Sequence, residues 1–404
     1  MLRSYRYRLR PTRAQERTLR EWLYLTRELY NAALQERRDA WRKQRKSITC
    51  FDQIKQLAEI RQLRPEFQQI PINVLRGALR RLDKAFQGFF RRCKTGEKPG
   101  FPRFKRHNWW KSLLIDDLGR HKDGAPIDPV VTGKRRVFVP LLGLVKLNLH
   151  RPIEGVPKAA RFTIDGRGRW FVTLACVDVP AKPLPVIDRE VGIDLGLLRL
   201  ATTSDGTMYR NPRPLDEARI ELERAQRTVS RRKRGGQRRR HAVGQLRRRY
   251  ERVTNVRREN HISVARDLAA KYQIIYVEDL QIKEMLEKNF GRSFSDAALA
   301  GLLHWLHVKA ESAGRGVVAV NPAYTSRTCS RCGVIKDHLS LGERTFRCGH
   351  CGLVIDRDVN AALNIKRLGQ SRQGAATPVR VRRGSAKHES GRATAAQRRA
   401  SAMK

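Results

Sequence analysis

The sequence has no run of about 20 apolar residues, which is the length that a helix needs to cross a membrane. It carries no lipidation signal. Its first residues, MLRSYRYRLRPT, lack the apolar core of a signal peptide. We therefore expect a cytoplasmic protein that is neither inserted in a membrane nor exported.

Acidic residues are also scarce. Asp and Glu number 39 against 85 Lys and Arg, so the formal net charge of the 404 residues is +46. Such a charge destabilises a compact fold through self-repulsion unless a polyanion is bound. Nucleic acid is the expected partner, held mainly through its phosphates. A protein that lies on a membrane surface is the less favoured alternative, because no anchor accompanies the charge.

Cysteines are few and unevenly placed. Cys50, Cys93 and Cys176 are scattered, and their odd number argues against a disulfide framework and for a reducing compartment. Cys176 lies in the apolar run FVTLACV and is predicted to be a small core residue. The other four have the C-x2-C-x15-C-x2-C spacing of a structural zinc site: Cys329, Cys332, Cys348 and Cys351. Since four thiolates complete such a site, His338 and His350 are interpreted as surface residues.

The N-terminal part begins with a strand and continues with helices. Residues 3–10 alternate between apolar and basic side chains, and Thr12 with Gln15 has the pattern of a capping box. A second helix is predicted near 71–92, so helices fill about 13–93. The apolar stripe of the first helix comprises Leu19, Trp22, Leu23, Thr26, Tyr30 and Ala33.

From about 108 to 180 the hydrophobic period changes to two, which predicts a small β module, a barrel. The strand 3–10 is expected to join it, which makes 13–105 a helical insertion. The predicted strands are Arg136–Val139, Val145–Leu149, Arg161–Ile164 and Trp170–Val177, with a hairpin turn at Asp165–Gly168.

The C-terminal half has the element order β-β-β-α-β-α-β, which is that of the ribonuclease H-like fold. Two long basic helices, split at Gly235 and Gly236, stand between its third and fourth strands. From Ser371 the periodicity ends, and nine basic residues with one acidic residue predict a disordered tail. The elements are strands Val191–Leu195, Leu198–Ser204, Thr207–Tyr209, Ile274–Val277 and Val317–Val320 and helices 295–313 and 358–367.

Three acids lie where this fold would bring them together. Asp194 in VGIDLG and Glu278 in IIYVEDL each end an apolar strand, and Asp358 begins the last helix. A carboxylate at the end of a buried strand is costly unless it is paired or binds a cation. Three carboxylates around two Mg²⁺ ions form the hard-oxygen site that phosphodiester hydrolysis requires.

Each acid also has a plain structural interpretation. Asp194 could be a turn residue before a glycine. Glu278 could pair with an arginine, in which case Asp279 would be the ligand. Asp358 could cap its helix, and Asp356 competes for its role.

The binding surfaces are predicted only coarsely. The basic stretches Arg231–Arg240 and Arg247–Arg258 are expected to face phosphates, with a solvated surface as the alternative. Their apolar stripe would pack on the sheet: Leu246, Tyr250, Val253, Val264 and Leu268. Four aromatic residues interleaved with Arg and Lys could stack on bases or belong to the core: Tyr5, Tyr7, Trp109 and Trp110.

Several of these segments resemble the TnpB family of transposon-encoded, RNA-guided DNA endonucleases, which are related to type V CRISPR effectors. The specific ones are VGIDLG, VEDL, VNPAYTSRTCSRCG and FRCGHCGLVIDRDVNAALNIKR. The segments LYNAALQERR, VLRGALRRLDKAFQGFFRR and GFPRFK agree more loosely, and the resemblance spans about 1–368.

The resemblance implies an α/β multidomain protein with a RuvC catalytic triad of Asp194, Glu278 and Asp358 that holds two Mg²⁺ ions. It favours Asp358 over Asp356, because the last acid of the family lies two residues before Asn360. It also makes the four spaced cysteines the ligands of structural Zn²⁺. The implied domains are a β-barrel wedge domain (1–12 and 106–182), a helical recognition domain (13–105), a RuvC-like nuclease domain (183–321 and 357–370), a zinc ribbon (322–356) and a disordered basic tail (371–404).

The implied partners are a guide RNA derived from the transposon end and a double-stranded DNA target beside a short target-adjacent motif. We expect no membrane partner, a monomer within the ribonucleoprotein, and a place in the nucleoid of a prokaryote. One rival is a transposase that performs strand transfer with the same carboxylates, although no helix-turn-helix domain is evident. A repressor that binds without cutting is the other rival, and it would lack one of the three acids.

Overall fold

A computed structural model describes residues 1–118, 130–131, 135–280, 296–321, 323–340 and 342–373. The chain divides into two compact units, one formed by Met1–Ala181 with Arg224–Arg248, the other by Lys182–Glu223 with Arg249–Lys404. The finer five-part division remains a prediction. The predicted tail lies, from residue 374 onward, outside the described residues. Among the described helices, none is long and apolar enough to cross a membrane.

The first unit is built on a seven-stranded sheet in which all paired strands are antiparallel. Its strands are β1 (Arg3–Arg10), β2 (Ser112–Ile115), β3 (Val130–Val131), β4 (Arg136–Val139), β5 (Gly143–Asn148), β6 (Val156–Ile164) and β7 (Trp170–Val177). The order is β2-β6-β7-β1-β5-β4-β3, so the expected joining of the N-terminal strand is confirmed. Within the described residues nothing pairs β2 with β3. The predicted β module is therefore confirmed as one antiparallel sheet, and its closure into a barrel is not seen in the described residues.

Four α-helices separate β1 from β2: α1 (Arg13–Gln44), α2 (Cys50–Lys55), α3 (Leu57–Leu63) and α4 (Ile72–Lys94). The capping box is confirmed, since the Gln15 backbone N–H donates to the Thr12 hydroxyl at 3.2 Å and the Thr12 N–H donates to the Gln15 side chain at 3.1 Å. The whole predicted stripe of α1 is buried. The short helices α2 and α3 were not predicted individually.

Three of the four aromatic residues considered for base stacking belong to the core of this unit. Tyr5 and Tyr7 are buried on the inner face of β1, and Cys176 is buried as predicted. Trp110 is buried against Tyr30, with ring centroids 5.0 Å apart, and donates its indole N–H to the Thr26 hydroxyl at 3.0 Å. Base stacking is therefore wrong for Tyr5, Tyr7 and Trp110, whereas Trp109 is exposed.

The second unit has a mixed five-stranded sheet with the order β10-β9-β8-β11-β12. The first three strands along the chain form an antiparallel meander, and β11 runs parallel to both of its neighbours. The predicted order of elements is confirmed. The strands are β8 (Glu190–Asp194), β9 (Arg199–Thr203), β10 (Met208–Arg210), β11 (Ile274–Glu278) and β12 (Gly316–Val320).

Among the described residues, the helices that follow β10 are α5 (Pro214–Glu217), α6 (Arg219–Ser230), α7 (Gln237–Lys271), α8 (Leu299–Ala313) and α9 (Arg357–Gln373). Val264 and Leu268 of α7 pack in the core beside β8 and β11, as predicted. Tyr250, however, is exposed, because α7 is 35 residues long and extends beyond that core. The stretch Arg231–Arg234 lies in the connection before α7 rather than in a helix.

Candidate active site

Two of the predicted acids end neighbouring parallel strands. Asp194 is the last residue of β8 and Glu278 is the last residue of β11. Ile193 pairs with Val277 across these strands, so the next step along both strands brings the acids side by side. The alternative ligand Asp279 is exposed, and its backbone N–H donates to the Val320 carbonyl at 2.8 Å.

The third acid reaches this edge because α9 lies directly on the sheet. At Gly192 in β8, a Cβ atom would lie 2.1 Å from the Ala362 carbonyl oxygen of α9. At Gly369 in α9, a Cβ atom would lie 1.9 Å from the Tyr276 ring of β11. Only glycine permits these approaches, which set the first turn of α9, with Asp358, beside the end of β8.

The structure separates the roles of the two competing acids at the start of α9. Asp356 caps the helix, since its carboxylate accepts the backbone N–H groups of Asp358 at 2.9 Å and Val359 at 3.3 Å. Arg199 donates to Asp356 at 2.8 Å and lies 3.8 Å from Asp358. Burial acts to raise the pKa of Asp356, but the hydrogen bond and charge of Arg199, together with the backbone N–H groups of Val359 and Asp358, outweigh burial and hold that pKa below its usual value. Asp358 is therefore not needed as the cap.

Electrostatics couple the three acids. Burial, then the charges of Glu278 and Asp358, raise the pKa of Asp194 to about 8. Burial also raises the pKa of Glu278, against the opposing hydrogen bond from Thr325. None of the basic side chains that the structure describes lies within ion-pair distance of Asp194 or Glu278. A bound cation would relieve this repulsion.

Thr325 is a site residue that the sequence did not reveal. Its hydroxyl donates to the Glu278 carboxylate at 2.5 Å, and its carbonyl accepts the Asn364 side chain of α9 at 2.9 Å. Asn360, one turn earlier, donates to the Thr328 carbonyl at 2.8 Å and accepts the Ser330 N–H at 2.9 Å. Both asparagines are buried. The two asparagines are four residues apart, so the sequence places them on the same face of α9. This spacing indicates a polar contact, but it does not identify residues 325–330 as the partner.

The donor set fits Mg²⁺, which prefers carboxylate oxygens. The three carboxylates are more widely spaced than the thiols described below, because among the described residues only those thiols have all their ligand atoms within 4.8 Å of one another. Such a wider set of carboxylates would suit more than one hard cation.

The four predicted cysteines form the tight group. The Sγ atoms of Cys329 and Cys351 are 3.6 Å apart, as are those of Cys332 and Cys348. Thiolates about 2.3 Å from a tetrahedral zinc ion lie about 3.8 Å from one another, so the group fits Zn²⁺. Two turns build it, in which the N–H groups of Gly333 and Gly352 return to the carbonyls of Cys329 and Cys348, with φ of 79° and 70° at the glycines.

A short hairpin supports the thiols, formed by β13 (Thr345–Arg347) and β14 (Val354–Asp356). Phe346 of β13 is buried against Cys329 and Cys348. His338 and His350 are exposed, in agreement with their interpretation as surface residues. The hairpin leads directly into Asp356 and the first turn of α9, so the thiol group and the acids share one connection.

Three family models match the chain. One described as "Probable transposase" matches residues 175–289, and one described as "Cas12f1-like, TNB domain" matches 300–365. A third, described as "Helix-turn-helix domain", matches residues 1–46. In the structure, however, those residues form β1 and the single continuous helix α1, with no second helix.

Similar proteins match the chain over most of its length. A Streptomyces pristinaespiralis protein named as an RNA-guided DNA endonuclease is 31% identical over 97% of each chain. The Escherichia coli protein InsQ, named in the same way, is 26% identical over 92% of this chain and 93% of its own. Among solved structures, Cas12f1 in complex with single-guide RNA and target DNA matches with a TM-score of 0.55 and 17% identity, covering 88% of this chain and 83% of that one. This last likeness shows a shared fold.

Proposed function

Because the chain belongs to the TnpB family, we propose that it is an RNA-guided, metal-dependent endonuclease that cuts double-stranded DNA beside a short target-adjacent motif. A transposable element would encode it. The observation that carries this proposal is the meeting of Asp194, Glu278 and Asp358 at one edge of the five-stranded sheet. The order of that sheet supports a RuvC-like variant of the ribonuclease H-like fold.

In this proposal the three acids hold two Mg²⁺ ions. When bound, Mg²⁺ supplies the Lewis acidity that hydrolysis of a phosphodiester requires, which leaves 5′-phosphate and 3′-hydroxyl ends. Thr325 holds the carboxylate of Glu278 in one orientation. Asp356 takes the helix cap and the hydrogen bond from Arg199, whereas Asp358 has only the longer ion pairs to Arg199 at 3.8 Å and Arg344 at 3.9 Å, which a bound cation would replace.

Zinc would have a structural role in the same protein. Four thiols fill every tetrahedral position, so none remains open for a substrate water. The ordered ribbon would hold the segment 325–330, and with it Thr325, against α9.

The partners would be a guide RNA from the transposon end and the DNA that it pairs with. The net charge of +46 suits an RNA–DNA duplex held through its backbone, while base pairing supplies the choice of sequence. A monomer in the ribonucleoprotein is part of the proposal.

Guided cleavage tests the proposal. The chain is expressed with its flanking transposon DNA, the copurifying RNA is sequenced, and cleavage of a matching duplex is measured with and without Mg²⁺. We expect Asp194→Asn, Glu278→Gln and Asp358→Asn each to reduce cleavage by at least about a thousandfold, because each removes a ligand of the ions that stabilise the transition state. RNA binding should persist in all three variants.

The matched control is Asp279→Asn, which neutralises the exposed acid beside Glu278 and should cut normally. Full cleavage by any of the three variants would remove that residue from the site. Because one matching family model bears the description "Probable transposase", the products are also examined for joined transposon and target ends. Such joining without guide RNA would favour the strand-transfer rival.

A further inference from the structure

A cluster of four phenylalanine rings lies where α4 meets the segment that follows it. Phe86, Phe89 and Phe90 belong to α4, and Phe101 lies in the segment. Centroid distances between contacting rings run from 5.2 Å to 6.2 Å. Among the described residues, the other aromatic contacts join only pairs of rings. This phenylalanine cluster consists of Phe86, Phe89, Phe90 and Phe101.

One side of the phenylalanine cluster is anchored and the other is open to solvent. Phe86 packs against the core of its unit, and the Arg37 guanidinium lies 5.1 Å from its ring centroid. Phe90 and Phe101 are 55% and 45% exposed. An exposed group of contacting rings is unusual on a protein surface and marks a binding surface more often than chance.

The surface is fixed before any partner arrives. Gly96, with φ of 70°, reverses the chain after α4. The Arg92 guanidinium then donates to the Gly100 carbonyl at 3.1 Å and holds the returning segment against the helix. A partner would therefore meet rings that already contact one another, which reduces the conformational entropy lost on binding.

The surroundings of the phenylalanine cluster are strongly basic. Residues 90–106, FRRCKTGEKPGFPRFKR, contain seven basic residues and one acidic residue. Burial, followed by the charges of Arg81 and Arg103, lowers the pKa of Lys105 within this stretch. Among the described residues, no acid lies within ion-pair distance of Lys105. The combination of stacking rings and a basic rim is the one with which proteins hold single-stranded nucleic acid.

We propose that an unpaired stretch of the guide RNA stacks its bases on Phe90 and Phe101, while the basic rim binds the adjacent phosphates. This inference rests on the proposed function. RNA is chosen over DNA because a guide RNA can present unpaired bases before any target is bound, whereas the target becomes single-stranded only after the guide has displaced one of its strands. A second copy of this chain is disfavoured, because two surfaces of the same positive sign repel each other.

Binding of oligonucleotides to the full chain, freed of nucleic acid at high salt, tests the stacking. The probe is a fluorescein-labelled 20-nucleotide oligouridylate, with an RNA duplex of the same length for comparison. The double variant Phe90→Leu/Phe101→Leu should bind oligouridylate about tenfold more weakly, since stacking on an aromatic ring is lost. Its affinity for the duplex should change less than about twofold, and its salt dependence should stay that of the unmodified protein because no phosphate contact is removed.

Two variants serve as controls. Phe138→Leu removes an exposed ring, 49% accessible, from β4 in the same unit, and it should bind both probes normally. Arg91→Gln should weaken binding to both probes and reduce the slope of affinity against salt by about one. An equal loss for duplex and single strand in the double variant, or no loss, would overturn the proposal. So would a dimer in sedimentation that the double variant dissociates.

Cross-linking in the assembled ribonucleoprotein tests the choice of RNA. Guide RNA carrying 5-iodouridine should cross-link to peptides from 86–106, whereas target DNA carrying 5-iododeoxyuridine should not. Cross-links to these peptides from the DNA alone, or from neither nucleic acid, would contradict the proposal that the guide RNA binds here. Guide-dependent DNA cleavage is measured in the same preparation, so a failure of this inference remains distinct from a failure of the endonuclease proposal.

Discussion

The thiol group and the carboxylate group of the second unit are built in opposite ways. The thiols come from two short turns of the same shape, each closed by its own backbone hydrogen bonds. The carboxylates come from two strands and a helix that are distant in the chain and meet only after the sheet has formed. Local geometry therefore fixes the first group, and tertiary packing fixes the second.

This difference predicts how each group fails. The thiol group should fail when a ligand is removed, because four donors leave no redundancy. The carboxylate group should fail also when α9 moves, even if every acid is present. Three of the four predictions below test this contrast, and the last compares Asp194 with another acid of the same unit.

Cys348→Ser should have the largest effect. Metal binding to a ribbon of this kind contributes on the order of 10 kcal/mol to its folding, so loss of one ligand should unfold it locally. We expect the zinc content to fall from one ion per chain to almost none, and residues 323–356 to lose protection from hydrogen exchange. Cys93→Ser, at an exposed cysteine, is the control and should change neither. A ribbon that stays protected in Cys348→Ser would contradict the prediction.

Gly192→Ala should disturb the carboxylates and leave the thiols loaded. The added methyl group would overlap the Ala362 carbonyl, and the resulting shift of α9 should cost about 3 kcal/mol of unfolding free energy. Cleavage should fall, while the zinc content stays at one ion per chain. In Gly244→Ala the new methyl group meets open space on α7 and should stabilise by about 0.5–1 kcal/mol. Equal stability of the two variants in urea would refute the packing argument.

The two acids at the start of α9 should separate stability from activity. Asp356→Ala removes the helix cap and should cost about 1 kcal/mol in urea unfolding, with cleavage kept within about tenfold. Asp358→Asn should leave stability unchanged and abolish cleavage. If the two variants exchanged these phenotypes, Asp356 would be the ligand.

Asp205, in the turn between β9 and β10, should give the smallest effect, and its pKa is shifted in the opposite direction from that of Asp194. Burial acts to raise its pKa, but hydrogen bonds from Thr203, Tyr272 and Thr207 outweigh this and hold the pKa at about 2. Since the unfolded carboxyl titrates near 3.8, the stabilisation is complete above about pH 4 and is lost as the pH falls toward 2. The side chain is 36% exposed, so the effect should stay below about 1 kcal/mol.

Unfolding in urea at pH 5 and pH 2.5 checks this sign. The stability gap between the unmodified protein and Asp205→Asn should be present at pH 5 and shrink at pH 2.5. A gap that grows in acid would show that the folded state does not hold this carboxylate in its charged form.

The sequence predicted the parts of the site whose signals are local. Apolar runs ending in Asp194 and Glu278 marked strand ends, and the cysteine spacing marked the ribbon. Convergence of the acids followed from the parallel pairing of β8 with β11, which the order of elements suggested. The buried apolar stripe of α1 was also predicted correctly, because a helix of 32 residues repeats its hydrophobic period many times.

The missed features depend on contacts between distant segments. Thr325 lies in an irregular stretch, and the residues beside it in the sequence do not indicate that its hydroxyl contacts Glu278. The choice of Asp356 rather than Asp358 as the cap is a matter of two residues, about half a helical turn, which periodicity does not resolve. The burial of Tyr5 and Tyr7 was ambiguous for a related reason, since an alternating strand shows two faces without saying which one is covered.

The position of β1 in the first unit has a consequence for synthesis of the protein. This strand leaves the ribosome well before the two strands that flank it, since Arg8 pairs with Asn148 and Arg3 with Cys176. At about 5–20 residues per second, translation of the intervening chain takes on the order of ten seconds. During that interval both edges of β1 lack their partners, which makes the nascent chain a candidate for chaperone binding. Synthesis rate, rather than the intrinsic folding rate, should therefore limit when the seven-stranded sheet can assemble.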